Sequence, residues 1–208
     1  MATKRLTIPL SEAEVRELEI GDVVYMDGLI YTVRSLFQIR AVENDIIPPI
    51  DFSKLNVMVH IGPVMKKEEG RWMPVSMAPT SSIRFEKLGP ATIKKLGIRA
   101  IIGKTTMGEK TMQAMKEQGC VHLSVVGVMG NIFAKQVKRV VDVYNLDELG
   151  MPEATWVMEV ENAGPFIVDI DTHGNNLFHQ VNAQVEKKFE EAYEKYGIKD
   201  FAYTDVGA

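Results

Sequence analysis

Between Pro74 and Lys104 the chain reads PVSMAPTSSIRFEKLGPATIKKLGIRAIIGK, which gathers hydroxyls, a guanidinium and an ammonium near the ends of expected elements. Thr80, Ser81 and Ser82 stand just ahead of a short helical turn bearing Arg84. Hydroxyls in that place serve as N-caps, and the free N–H groups of such a turn attract an anion. About twenty residues on, the strand-like run Arg99 to Ile102 ends in Gly103-Lys104. There glycine lets backbone approach a ligand, and lysine is left at a strand terminus. The combined chemistry is that of an anion site, provided the two element ends meet.

The elements that must position these residues follow from periodicity and turn signals. Thr3 to Ile8 reads as a strand, and Ser11-Glu-Ala-Glu14 is a capping box opening a brief helix before Gly21. VVYMDGLIYTVR reads as a β-hairpin turning at Asp27-Gly28 and delivering Arg34 at its end. Ser35 to Glu43 has helical spacing, and Asn56 to Ile61 is a buried-type strand in which His60 reads as a satisfied core histidine. MKKEEG is a hairpin tip. The chain then turns regularly α/β: a helix at Pro90 to Leu96, the strand RAIIG, a helix from Gly108 to Gln118 and the strand Val121 to Val126. Continuous apolar strands of this kind belong to a parallel sheet covered on both faces. A second glycine loop, Gly127 to Gly130, opens a helix from Asn131 to Lys138. In an open α/β sheet the loops after Ile102 and Val126 border the ligand crevice. Strands at Val140 to Tyr144, Thr155 to Val160 and Phe166 to Ile170 follow, and a helix at Leu177 to Tyr196 carries an apolar stripe at helical spacing.

Several familiar chemistries are excluded. Neither GKTTMG nor GVMG fits G-x-G-x-x-G, and a Walker A loop needs glycine where Ile98 stands. The run from Asp169 to Asn176 reads as turn chemistry rather than a metal site, and no histidine pair has zinc spacing. The chain's 208 residues suit a single domain over 1–208, with 177–208 a C-terminal helix and tail. A net charge of −4 gives no basic field for nucleic acid. No apolar run reaches the roughly 20 residues of a membrane span, and the first residues lack the apolar core of a secretory signal, so a cytoplasmic location is expected. The single cysteine, Cys120, leaves this chain unable to supply the thiolates of an iron–sulfur cluster by itself.

Taken together, GDVVYMDGLIYTVR, HIGPV, APTSSIRF, IIGK, ELGMPEATWVMEV and GPFIVDIDTHGNNL resemble, in order and spacing, the β subunit or C-terminal domain of the class I fumarate hydratases and L(+)-tartrate dehydratases, which are iron–sulfur hydro-lyases. The resemblance runs from about Thr7 to Leu177 and is most specific in the last two segments. It implies a three-layered swivelling β/β/α domain with a mainly parallel sheet, paired with an α subunit that carries a 4Fe–4S cluster. No cofactor or metal is then bound by this chain alone, and the assembly is a homo- or hetero-oligomer.

By the same resemblance Arg34, Arg84 and Lys104 bind the carboxylates of a small dicarboxylate substrate, and Thr80 moves the carbon-bound proton. The implied reaction is reversible hydration of fumarate to malate. The alternatives are dehydration of L(+)-tartrate to oxaloacetate or, in another class, a diverged domain that binds a dicarboxylate or stabilises a partner without catalysis. The chemistry is coherent: guanidiniums take carboxylates bidentately, lysine adds a point charge, and a cluster iron lacking a cysteine ligand acts as a Lewis acid. Two departures stand out. The family's R-D-x-x-H is here Arg34-Ser35-Leu36-Phe37-Gln38, and the glycines that follow the family's lysine are here Thr105 and Thr106.

Overall fold

The computed structural model describes residues 1–127 and 130–197. It is a mixed α/β structure in which β1 (Thr3–Thr7) is followed by α1 (Glu12–Arg16), the long strand β2 (Val23–Val33), α2 (Ser35–Glu43) and β3 (Val57–His60). A small antiparallel hairpin, β4 (Val64–Glu68) and β5 (Arg71–Ser76), precedes a 3-10 turn at Ser82–Phe85 and α3 (Gly89–Leu96). Then come β6 (Ala100–Gly103), α4 (Glu109–Gln118), β7 (Val121–Val125), α5 (Gly130–Lys135), β8 (Val137–Tyr144), the single turn α6 (Leu146–Leu149) and the sixteen-residue β9 (Thr155–Ile170).

Local chemistry explains many of these bounds. Ser11 and Glu14 form the expected capping box on α1. α3 begins with Pro90 near its start and stops at Gly97 (φ 64°), and α4 stops at Gly119 (φ 68°), where a left-handed residue costs glycine little. The tip of the β4–β5 hairpin is Glu69-Gly70, both at positive φ, as a tight hairpin turn requires.

The main sheet has the order β1-β2-β3-β6-β7-β9-β8, with β2 also paired to β9. β1, β2, β3, β6 and β7 run parallel to their neighbours, while β9 is antiparallel to β7, β8 and β2. The expected open crevice sheet is therefore replaced by a closed, barrel-like ring of five strands: β2, β3, β6, β7 and β9. Side chains alternate across the pleat. One set, including Val57, Val59, Ala100, Ile102, Leu123, Trp156, Met158 and Phe166, draws on all five strands and fills the ring. The other, including Tyr31, Met58, Ile101 and Val157, lies beneath α2, α3 and α4 with Phe37, Ile93, Leu96 and Met115.

Two expectations from sequence change here for one reason. Asp27-Gly28 is not a hairpin turn: β2 runs through it unbroken. On one side β2 pairs with β1 up to Asp27 and with β3 from Tyr31, while β9 follows it along the other side with register shifts around Met26 and Gly28. The strands expected at 155–160 and 166–170 are likewise one strand, paired first to β8 and then to β7. Turn-type residues here mark bulges at which a long strand changes neighbour. The helix expected to reach Lys138 ends at Lys135, because Val137 already pairs with Val160. Val128 and Met129 of the second glycine loop lie outside the described residues.

A second unit begins at Leu177, and its described part holds α7 (Leu177–Tyr196). It is a twenty-residue helix with no buried residue. No helix among the described residues is long and apolar enough to cross a membrane.

Gly28 sits at φ 122°, and a Cβ there would lie 2.9 Å from the Ile8 carbonyl oxygen. Gly28→Ala and Gly28→Asn are both expected to lower stability by more than about 1 kcal/mol in urea denaturation. A tight hairpin turn accepts asparagine, so an Asn variant as stable as the parent would restore the hairpin reading.

Candidate functional site

Because β2, β3, β6 and β7 are parallel, their carboxyl ends lie together: Val33-Arg34, His60 to Gly62, Gly103-Lys104 and Val125-Val126. The segment from Met77 to Arg84 is laced across these ends by main-chain bonds. Met77 N–H donates to the Gly130 carbonyl (2.8 Å), Thr80 N–H to His60 (2.7 Å) and Ser82 N–H to Lys104 (2.9 Å), and Ser81 forms a parallel bridge with Lys104. The two element ends seen in the sequence do meet.

The manner of their meeting differs from the expected one. Ser81 precedes the 3-10 turn without any side-chain cap, and the N–H groups of Thr80, Ser82 and Arg84 are spent on protein carbonyls rather than left for an anion. The amino end of α4 is also occupied, since Glu86 accepts from Gly108 N–H (2.7 Å) and Thr111 N–H (3.2 Å). Those N–H groups are therefore not available to an anion.

The expected side chains are present. Arg84 is exposed and Lys104 half-buried, and neither forms an ion pair among the described residues. Thr80 is half-buried, and its hydroxyl has no hydrogen-bond partner among the described residues. Thr80, Arg84 and Lys104 are thus carried on backbone that is directly joined. Arg34 lies at the adjoining strand end against Gly62, where a Cβ would be 2.7 Å from Arg34 Cδ. It is not free: Nε is 3.5 Å from Glu153 Oε1, close enough for charge pairing but without a hydrogen bond. Glu153 also accepts the Leu36 N–H at 3.0 Å, tying the Arg34 corner to the GMPEATW segment. In that segment Gly150 ends α6, and the indole N–H of buried Trp156 donates to the Met151 carbonyl.

Beneath the laced segment is a buried polar chain that sequence reasoning did not assemble. His122 Nδ1 is 2.6 Å from Asp169 Oδ1, and its Nε2 is 2.8 Å from Ser82 Oγ. The Ser82 oxygen is 3.0 Å from His60 Nδ1, and His60 Nε2 is 3.4 Å from Gln38 Nε2. His60 is thus the satisfied core histidine expected, and burial, with the neighbouring His122, pushes its pKa well below the usual imidazole value. Gly103 is glycine for this chain rather than for a ligand, since a Cβ there would lie 1.9 Å from Ser82 Oγ. Asp169 is turned toward His122 by a register shift between β7 and β9. The only sequence signal for it was the D-x-D-x-H-G-N-N run, in which Asp171 performs the expected turn chemistry by accepting from His173 N–H (2.9 Å) and Asn175 N–H (3.0 Å).

Cys120 is buried at the amino end of β7, away from the laced segment, and burial pushes its thiol pKa up. Next to Pro79, an apolar cleft of about 320 Å³ opens between Val125, Ile132, Phe133 and Phe166. Its lining does not suit a small dianion.

Comparison with known proteins bears on this arrangement. The profile of the family described as Fumarase C-terminus matches residues 2–181. The chain is 40% identical over 186 residues to the "Putative L(+)-tartrate dehydratase subunit beta" of Methanocaldococcus jannaschii, covering 88% of this chain and 94% of that one. It is 34% identical over 174 residues to the L(+)-tartrate dehydratase subunit beta of Escherichia coli, covering 84% and 86% respectively. It is also 40% identical over 177 residues to the "Putative fumarate hydratase class I" of Geobacillus stearothermophilus, where it covers 85% of this chain but spans about a third of the relative, 34%. With 180 of its 208 residues matched by one profile and relatives at this identity along nearly their whole length, the chain belongs to the Fumarase C-terminus family.

Proposed function

We propose that this chain is the β subunit of an iron–sulfur hydro-lyase that reversibly hydrates fumarate to malate. The observation that carries the reading is that the backbone bearing Thr80 and Arg84 is bonded to that bearing Lys104, with neither cation in an ion pair and the Thr80 hydroxyl unpartnered among the described residues. Leaving cations unpaired together costs electrostatic energy, which a dicarboxylate removes on binding. Arg84 grips one carboxylate, bidentately where geometry allows, and Lys104 adds a point charge. Arg34, oriented by Glu153, completes the positive wall from the β2 end.

In the hydration direction water supplies OH to one alkene carbon, the Thr80 hydroxyl gives its proton to the other, and the proton lost from that water returns to the threonine oxygen; in dehydration each transfer runs in reverse. Negative charge that develops on the adjacent carboxylate during proton removal is met by the same cations. The 4Fe–4S cluster belongs to an α subunit in this reading, and no residue of this chain is assigned to it. The ring and its covering helices are the family's swivelling β/β/α domain, residues 1–208 are one subunit, and the complex is cytoplasmic.

Dehydration of L(+)-tartrate is the second reading. It is supported by the two relatives named L(+)-tartrate dehydratase subunit beta, which this chain matches along 94% and 86% of their lengths. Malate and tartrate differ by one hydroxyl, so both dianions suit the same cations.

The reading is tested by co-expressing the chain with its α-type partner, reconstituting the cluster anaerobically and following fumarate and tartrate by absorbance. A cluster-loaded complex that turns over neither substrate overturns it. Arg84→Met is expected to lower kcat/KM roughly tenfold to a hundredfold, mostly through KM, since a charged hydrogen bond contributes about 1.5–3 kcal/mol. Assembly by size-exclusion chromatography should be unaltered; unchanged kinetics would remove Arg84 from the site. Thr80→Val should reduce kcat by about 10²–10⁴ with little change in KM. If only the melting temperature moves, Thr80 is a structural residue.

A further inference from the structure

We infer that Ser82, His122 and Asp169 are positioning residues that lock the Thr80–Arg84 turn to the Lys104 loop. This rests on the hydro-lyase reading for its kinetic consequence but not for its geometry. Ser82, His60, His122 and Asp169 are all at most 1% exposed, so each polar atom in the chain must find a partner inside the protein.

Hydrogen-bond logic gives the chain a single direction. With one proton on each imidazole, His122 Nδ1–H donates to Asp169 Oδ1 and His122 Nε2 accepts. Ser82 must then donate its one proton to His122 Nε2, and accept from His60 Nδ1–H. His60 is held neutral, so its Nε2 accepts from the Gln38 amide. Every donor then points toward Asp169 Oδ1, while Asp169 Oδ2 is buried without a hydrogen-bond partner among the described residues.

Asp169 reaches the Lys104 loop by a second route. Ser124 Oγ lies 2.9 Å from the carbonyl of Thr105, the residue after Lys104, and 3.1 Å from Asp169 Oδ1, and its one proton is given to either acceptor in turn. Thr105 is a β-branched residue at φ 62°, a conformation that persists only where surroundings impose it. Phe85 packs against the His60 ring, with centroids 4.4 Å apart, and pins the far end of the turn. Ser82 is the hub: its N–H holds Lys104, its hydroxyl holds both histidines, and it sits two residues from both Thr80 and Arg84. The Ser–His–Asp order does not make Ser82 a nucleophile, because it is fully buried and its oxygen already accepts from His60.

Packing and hydrogen bonding can be separated by one pair of substitutions. Ser82→Ala removes the hydroxyl, and Gly103→Ala in that background returns a methyl to the vacated space. Both variants are made in the co-expressed complex, with three measurements: melting temperature, amide hydrogen exchange over residues 79–85 and 103–106, and steady-state kinetics. Positioning predicts that the second methyl restores much of the melting temperature, while exchange stays about tenfold or more above wild type and kcat/KM about tenfold or more below it. Wild-type exchange in the thermally restored double variant, or wild-type kcat/KM in Ser82→Ala, overturns the inference. If the parent complex turns over neither dicarboxylate, the hydro-lyase reading falls and the exchange measurement still decides the positioning.

Discussion

The antiparallel pairing of β2 with β9 is the contact on which the rest of this molecule depends. Without it the seven strands would be an open sheet with β1 and β8 at its edges; with it, five of them close into a ring that has an interior to fill. The interior is filled mainly by alternate residues of those strands, with Trp156 fully buried among them. Thr32 fixes where the pair begins, accepting from Trp156 N–H at 3.0 Å and donating to the Ala154 carbonyl at 3.3 Å. Strand pairing also decides where chemistry can occur. Parallel pairing puts the carboxyl ends of four of the ring's strands on one rim, and β9, the strand that closes the ring, lays Asp169 beside His122 through its other pairing, with β7.

The rim treats its polar groups in two ways. Ser82, His60, His122 and Asp169 Oδ1 are buried and joined into a hydrogen-bonded chain, because an unmet polar group inside a protein is costly. Accessible ones, Arg84, Lys104 and the Thr80 hydroxyl, are left unmatched among the described residues. A site for a small dianion needs this division. The scaffold must be complete without the ligand, while the groups facing the ligand must be incomplete without it. Arg34 stands between the two classes, since Glu153 offsets its charge and fixes its place.

Much of the local structure was legible in the sequence. The bounds of α2 match the expected Ser35 to Glu43, and α1, β3, β6, α4 and the Glu69-Gly70 tip follow from caps, apolar runs and turn residues. What misled was local evidence for a non-local fact. Asp27-Gly28 has the composition of a hairpin turn, and only the later arrival of β9 alongside β2 makes it a bulge. At the rim, the joining of the Thr80 and Lys104 segments was posed by the sequence as a question. The burial of Ser82 was invisible, because a serine beside two other hydroxyls reads as a cap unless one knows that Gly103 lies against it. His60, His122 and Asp169 are far apart in sequence and share no motif, so their meeting is a product of the ring.

The ring also constrains how the chain can be made. The strand that closes it, β9, pairs with a strand more than a hundred residues earlier, and these are slow contacts because a long loop must be ordered before they form. During synthesis β2 through β7 can pair in succession through their covering helices, yet the nascent sheet then presents unpaired edges and half a core until β9 emerges. Asp169 is near the end of β9, so the rim gains its anchoring carboxylate only in the closing step. A truncated chain is consequently a sheet with sticky edges rather than a weakened version of the site.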